Sequence, residues 1–302
     1  MALRLRPNLA LIKMDEAVQL RVGDEEIHVV ESDSPELVHR MLQMLADGIN
    51  VERLYEEAGV ADQEVVSALL EQLAARRLLM DREYDDRDEI VRYLANFAAF
   101  SPEVALRRPA GTVRVLGSAA SSELFARALQ EHGLTAVCSD GPVDWIEASS
   151  DTPSAVVCIC EQPDLTYAEQ VNAAACRQRV PSLFIDLSHG RHATIGPFFI
   201  PGEGACHRCY RDRWRQNTAS AAEHEAAERV MIETRRPLPA FGLLPAFRYQ
   251  VVGLACGEIF AFLSRHRALC TLNRIATVDL ERMRIWTEPC WQIPWCRTCG
   301  TT

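Results

Sequence analysis

The chain has 302 residues, 48% hydrophobic and 25% charged, so it can bury a sizeable core, and its length suits two compact units better than one. A formal net charge of -10 repels nucleic-acid phosphate and acidic membranes unless a local basic patch overrides the overall field, which argues against DNA binding. The eleven cysteines are odd in number, and several sit inside apolar runs such as Ala155-Val-Val-Cys-Ile-Cys160, which argues against a secreted disulfide framework.

The start, Met1-Ala2-Leu3-Arg4, lacks the apolar stretch of a signal peptide, and no apolar run reaches the roughly 20 residues that span a bilayer, so a cytoplasmic protein is expected. Leu9 to Met14, Ala17 to Val22 and Ile27 to Val30 read as a three-stranded meander, with Gly23-Asp24 as a turn. A helix follows Ser34-Pro35, with Leu37, Val38, Met41, Leu42 and Leu45 on one face and Gly48 as its stop. A second helix covers Val51 to Ala58. Asp62 caps a third, whose apolar face is Val65, Val66, Leu69, Leu70 and Leu73. Strands followed by three helices suggest a winged helix-turn-helix over residues 1–85.

Asp81 to Asp88 is a charged linker, and a helix from Glu89 to Phe100 completes a connecting segment over residues 86–110. From residue 111 to 302, strands alternate with helices. Strands are expected at Thr112 to Leu116, Ala136 to Cys138, Ala155 to Cys160 and Ser182 to Leu187, and helices at Ser121 to Glu131 and Tyr167 to Arg177. That alternation implies a Rossmann-like α/β domain with a parallel sheet. Thr218 to Thr234 reads as an exposed helix or crossover, Phe247 to Leu263 as an apolar helix, and Ile275 to Leu280 with Arg284 to Trp286 as a closing hairpin.

Two Cys-x-x-Cys turns carry the clearest chemistry. Cys206-His-Arg-Cys209 follows Pro201-Gly202, and Cys296-Arg-Thr-Cys299 lies between Pro294 and Gly300. Each turn presents two thiolates at the bite a tetrahedral metal needs, so the four cysteines are expected to hold one structural zinc ion. Cys138, Cys158, Cys160, Cys176, Cys256 and Cys270 read as core cysteines, with Cys290 near the second turn as a spare ligand. His189 and His192 read as turn residues and His207 as exposed. Strand Val113 to Leu116 followed by Gly117-Ser118-Ala119-Ala120 has the layout of a nucleotide phosphate loop, yet only one of the usual three glycines is present. The site reads as vestigial, and ATP binding as doubtful.

On the Gly117 turn, the stretch from Gly196-Pro-Phe to Cys209, the apolar helix at Val251 to Leu263, and Pro294-Trp-Cys-Arg-Thr-Cys299, the C-terminal two-thirds resembles the ThiF-like, ubiquitin-activating-enzyme fold. The first eighty residues resemble a PqqD-like RiPP recognition element, a family that binds the leader of a precursor peptide. Together they resemble the leader-peptide-binding partner proteins of azoline-forming (TOMM) cyclodehydratases. Adenylating members of the ThiF-like family carry a full glycine loop, an acidic residue for magnesium and a basic residue for the phosphates. Here Glu161-Gln162-Pro163-Asp164 replaces the usual Asp-Asn stretch, leaving Gly117 and Asp164 as remnants of a nucleotide site, with Arg177 or Arg179 as basic candidates.

The resemblance implies a non-catalytic scaffold that recruits a precursor peptide to a YcaO-type cyclodehydratase for thiazoline or oxazoline formation. A homodimer and an FMN-dependent azoline dehydrogenase would fit alongside it, with no nucleic-acid or membrane partner. The leader would add a strand along the third strand of the meander, near Ile27, Val29 and Glu31, in a groove shared with Leu69 and Leu73, with Arg76 available to an acidic leader. Two alternatives remain: an active adenylating enzyme acting on a peptide, and a winged-helix zinc sensor that reads DNA. Asp62, Glu64 and Glu71 on the third helix argue against the second.

Overall fold

In the computed structural model, residues 2–22, 26–80, 88–95, 109–139 and 154–300 are described. The Gly23-Asp24 turn, most of the charged linker, and the expected helix beyond Ala95 lie outside them. The chain folds as two compact units, Met1–Arg108 and Pro109–Thr302.

The first unit contains β1 (Ala2–Leu5), β2 (Ala10–Lys13), β3 (Ala17–Val22), β4 (Glu26–Glu31), α1 (Pro35–Asp47), β5 (Ile49–Asn50), α2 (Val51–Ala58), α3 (Gln63–Ala75), β6 (Leu79–Met80) and α4 (Glu89–Ala95). The meander forms as expected, in the antiparallel order β2-β3-β4. Val18 and Leu20 of β3 and Val30 of β4 face a core shared with Leu42 and Leu45 of α1 and Leu73 of α3. Each fully buried side chain of this kind contributes about 1.5–3 kcal/mol. A second small sheet, β5-β1-β6, has no counterpart in the sequence reading. Two of its strands are two residues long, too short for any periodicity to register.

The second unit contains β7 (Thr112–Gly117), α5 (Ala119–Glu131), β8 (Thr135–Ser139), β9 (Ala155–Cys160), α6 (Leu165–Arg177), β10 (Ser182–Asp186), β11 (His192–Phe199), α7 (His207–Asn217), α8 (Ala221–Thr234), α9 (Pro245–Ser264), β12 (Arg274–Asp279) and β13 (Arg284–Pro289). One seven-stranded sheet runs β13-β12-β11-β10-β9-β7-β8. Strands β8, β7, β9 and β10 are parallel, and β11 to β13 extend the sheet antiparallel. Helix α5 packs with α9, whereas α6 packs with α7 and α8. The chain therefore turns in opposite directions after the neighbouring strands β7 and β9, which opens a crevice at their C-terminal ends.

Three elements differ from the sequence reading. No strand was expected around Gly196-Pro197, yet β11 carries both where its register against β10 shifts, between the pairs Leu183–Phe198 and Ile185–Ile195. One extra residue of β11 is accommodated there, so proline costs no ladder bond. The first cysteine turn opens a helix, α7, with Cys206 as its N-cap. Helix α9, 20 residues with a mean hydropathy of 1.3, is long and apolar enough to cross a membrane, contrary to the run-by-run reading. It packs on α5 and β11 and buries Glu258, as a core helix does.

Candidate functional site

The sulfur atoms of Cys206, Cys209, Cys296 and Cys299 all lie within 4.8 Å of one another. The separations are 3.9 Å for Cys206–Cys209, 3.7 Å for Cys206–Cys296 and 3.5 Å for Cys209–Cys299. Four sulfurs at about 2.3 Å from one centre in a tetrahedron are about 3.8 Å apart, so the group fits a single metal ion. The start of α7 supplies the first pair and the turn after Ile293 the second. Gly300 lets that turn close, because a Cβ there would stand 2.5 Å from the Cys296 carbonyl oxygen.

N–H donors point at the sulfurs. The Ile293 amide donates to Cys209 at 3.4 Å, the Gln292 side chain to Cys299 at 3.7 Å, and Asn172 Nδ2 to Cys206 at 3.7 Å. Asn172 is 1% exposed and also accepts from the His207 amide at 3.0 Å, so it ties α6 to the first turn of α7. The sequence reading missed it, although a lone amide on the apolar face of Ala168, Val171 and Ala175 was a legible signal. Three of the thiols are shifted, and not all in the same direction. Hydrogen bonding with Cys176, joined by that with Cys299 and by burial, outweighs the lowering by Cys209 and holds Cys206 far above the usual thiol range, and hydrogen bonding with Cys206 and Cys299 raises Cys209 as well. Cys299 goes the other way, down to about 2, because Cys206 and Cys209 donate to it. A divalent cation at the centre of the four crowded sulfurs would favour the thiolate at all of them. Cys290 is buried beside the group, with its thiol pushed up to about 11 by burial, and is not one of the four.

The crevice at the C-terminal ends of β7 and β9 measures about 470 Å³, and Gly117, Asp164 and Arg248 line it. Gly117 has φ +145°, and a Cβ there would stand 2.2 Å from the Ile159 carbonyl oxygen, so only glycine lets β7 leave the sheet beside β9. The Asp164 carboxylate accepts from the Tyr167 amide at 3.0 Å as the N-cap of α6. Arg177 and Arg179 lie at the opposite end of that helix. The basic group in the crevice is Arg248 of α9, whose Nε donates to Glu161 Oε1 at 2.8 Å and to Ser121 Oγ at 3.1 Å. Ser121 also donates to Glu161. Burial raises the Glu161 carboxyl, but hydrogen bonds from Arg248, Ser121 and Ser118 outweigh it and hold the group below its usual range. A carboxylate therefore sits at the N-terminus of α5, where an anion is favoured.

Strand β4 is an edge of its sheet. The Ser32 amide donates to the Glu16 carbonyl at 3.2 Å, which sets the phase of the ladder: Glu26, His28 and Val30 bond to β3, and the backbone groups of Ile27, Val29 and Glu31 face outward. Ile27 and Val29 are 47% and 40% exposed. Arg76 Nη1 reaches across and donates to the Val29 carbonyl at 3.1 Å. These four residues come together at the surface. Leu69 and Leu73 do not: at 2% and 0% exposure they lie in the core, because the face of α3 that carries them packs inward with Val66.

Other side chains depart from their expected places. Cys138 and Cys270 are exposed, whereas Cys158 and Cys256 are buried. His207 is 9% exposed and stacks on Phe184 at 4.4 Å, and burial, reinforced by Arg211, pushes it down to about 3. His189 pairs with Asp186 at 3.5 Å, and His192 opens β11.

The molecule is thus an α/β protein with a four-cysteine centre and a crevice at the ends of its parallel strands. Its fold has solved relatives. Over 99% of its length it matches the heterocyclase TruD, at 21% identity and a TM-score of 0.77, covering 43% of that chain. It also matches a heterocyclase solved in complex with substrate and cofactor, at 19% identity and a TM-score of 0.71, covering 39% of that chain. Over the full length of both chains it matches Escherichia coli MccB solved with AMPCPP and MccA, at 12% identity and a TM-score of 0.65. These likenesses establish the fold. The chain spans about two fifths of the two heterocyclase chains. No protein-family model matches it, and neither does any curated protein.

Proposed function

We propose that this chain binds the leader of a ribosomally made precursor peptide and holds it for a separate YcaO-type cyclodehydratase that forms azolines. In this reading the first unit is a PqqD-like, winged-helix recognition element and the second a ThiF-like, Rossmann-type scaffold that does not adenylate. The observation that carries it is the outward edge of β4: the backbone groups of Ile27, Val29 and Glu31 face away from β3, with the Val29 carbonyl held by Arg76, and can pair with an extended peptide. The likeness of the whole chain to the heterocyclases and to MccB, which was solved with MccA, supports it. So does Glu161, whose carboxylate takes the position an anionic phosphate would need. The four thiolates select zinc in a closed, structural site. An FMN-dependent azoline dehydrogenase and a second copy of the chain are further partners, and the cytoplasm keeps the cysteines reduced.

A second reading, an adenylating enzyme, draws on the crevice beside Gly117 and on MccB having also been solved with ATP. Pyrophosphate exchange dependent on this chain and a peptide would establish it. The test of the first reading uses the full-length protein and a fluorescent leader from the precursor encoded in the same gene cluster. Val29→Pro removes an outward N–H and leaves the bonds to β3 intact, so binding should weaken about tenfold or more with circular dichroism unchanged. A folded variant that binds as well as wild type places the leader elsewhere.

A further inference from the structure

A cavity of about 310 Å³ lies in the second unit, between strands β9 to β11 and helices α6, α7 and α8. Gln162 and Asp164 line both it and the crevice at Gly117. Its walls are largely apolar and aromatic, with Phe184, Tyr210, Trp214 and Met231 inside and Leu238 and Phe241 from the segment that crosses above. Such a wall stacks on flat rings.

Two buried polar side chains line this cavity without a partner. Ser188 is 1% exposed and His207 is 9% exposed, and neither Ser188 Oγ nor His207 Nδ1 has a hydrogen-bond partner among the described residues. Arg211 Nε, in the same wall, has none either. Protein interiors rarely leave such groups unmade, because desolvation is then uncompensated. The charged side chains around the cavity are engaged within the protein. Arg211 pairs with Glu228, Asp186 with His189, and Asp164 caps α6. An anionic ligand would find the Arg211 guanidinium already paired, whereas an uncharged one could accept hydrogen bonds from the Ser188 hydroxyl and Arg211 Nε, both buried in the wall, once those side chains turn toward it.

We propose that this cavity binds an uncharged, planar ring carrying a hydrogen-bond acceptor, of the kind an azole presents, borne by the peptide that the chain holds. The assignment of the ring to a peptide rests on the function proposed above; the cavity's chemistry does not. Leader capture belongs to the first unit and ring capture to the second, so the two can fail separately.

The test titrates full-length, metal-loaded protein with 2-methylthiazole-4-carboxamide, followed by ligand-observed NMR, and measures leader binding in parallel. Saturable binding is expected. Ala227→Phe, which fills the cavity from α8 without removing a polar group, should weaken it about tenfold or more. Ser188→Ala should weaken it about fivefold, the loss of one uncharged hydrogen bond. The charged analogue 2-methylthiazole-4-carboxylate should bind about tenfold more weakly than the amide. No saturable binding to intact protein, equal binding of amide and carboxylate, or full binding by the folded variants overturns the proposal. If Ala227→Phe does not fold, Ser188→Ala decides alone. Normal leader binding without thiazole binding overturns this proposal and leaves the leader reading standing. Thiazole binding that responds to both variants, without leader binding, supports the cavity and refutes the leader site.

Discussion

The Glu161 carboxylate and the Arg248 guanidinium, 87 residues apart in the chain, meet at 2.8 Å over the first turn of α5. Glu161 opens the stretch that replaces the family's Asp-Asn motif and Arg248 belongs to no motif, yet together they occupy the place where the single glycine of β7 would lead a nucleotide phosphate. Among the described residues the pair neutralises the one cation that lines the crevice, and it fills the helix N-terminus with the protein's own anion.

Replacing that anion tests the arrangement. Wild-type protein should bind magnesium ATP no more tightly than millimolar, and Glu161→Gln, which frees Arg248 of its counter-charge, should tighten binding about tenfold by calorimetry. An unchanged affinity would mean that the shape of the crevice, rather than the carboxylate, excludes nucleotide.

The same carboxylate predicts an acid dependence. Its pKa is held below the ordinary 4.5 in the folded protein, so its stabilising effect is present above that value and is lost as pH falls through the folded pKa. Melting temperature should therefore fall less steeply below about pH 4.5 in Glu161→Gln than in wild type. Parallel curves for the two proteins would show that the ion pair is not linked to stability.

At the cysteine centre, elemental analysis should find about one zinc per chain, and Cys206→Ser or Cys299→Ser should abolish it and lower the melting temperature of the second unit. Asn172→Ala removes a donor to Cys206 and the tie between α6 and α7, so metal affinity should drop about 10–100-fold in a competition assay while the fold persists. A protein that keeps full stability after chelation has no structural metal.

Glu258, 4% exposed, accepts from the Thr271 amide at 2.9 Å and hydroxyl at 2.7 Å and pairs with Arg267 at 2.9 Å. Glu258→Ala strands those donors and should cost about 2 kcal/mol in urea unfolding, modest for a buried carboxylate because Arg267 is partly in water. A loss under about 0.5 kcal/mol would mean that water replaces the carboxylate without penalty.

Local repetition carried most of what was readable in advance. The amphipathic spacing of α1 and α3, the alternation in β3, the apolar run of β9 and the doubled Cys-x-x-Cys all operate over a few residues, and each appears where its pattern placed it. The cysteine group was legible for a particular reason: four soft ligands at fixed bite can satisfy one another only by converging, so spacing implies proximity. Strand β11 and helix α7 were not legible, because proline in the one contradicts strand propensity and the other lacks an apolar stripe, and packing against β10, β12 and α6 holds them in place.

The groove on α3 shows where such reading stops. Leu69 and Leu73 share a helical face, and the spacing that put them together says nothing about whether that face meets a peptide or the core; the packing of α1 and β3 settled it in favour of the core. Likewise no interval in the chain announces that Arg248 will meet Glu161, that Asn172 will donate to Cys206, or that Ser188 and His207 will line one cavity. Those pairings join residues far apart in sequence through the closure of a seven-stranded sheet and its two helical layers. Chain order constrains which residues are adjacent within an element, whereas the elements' mutual orientation, set by the sum of many small burial energies, constrains which elements meet.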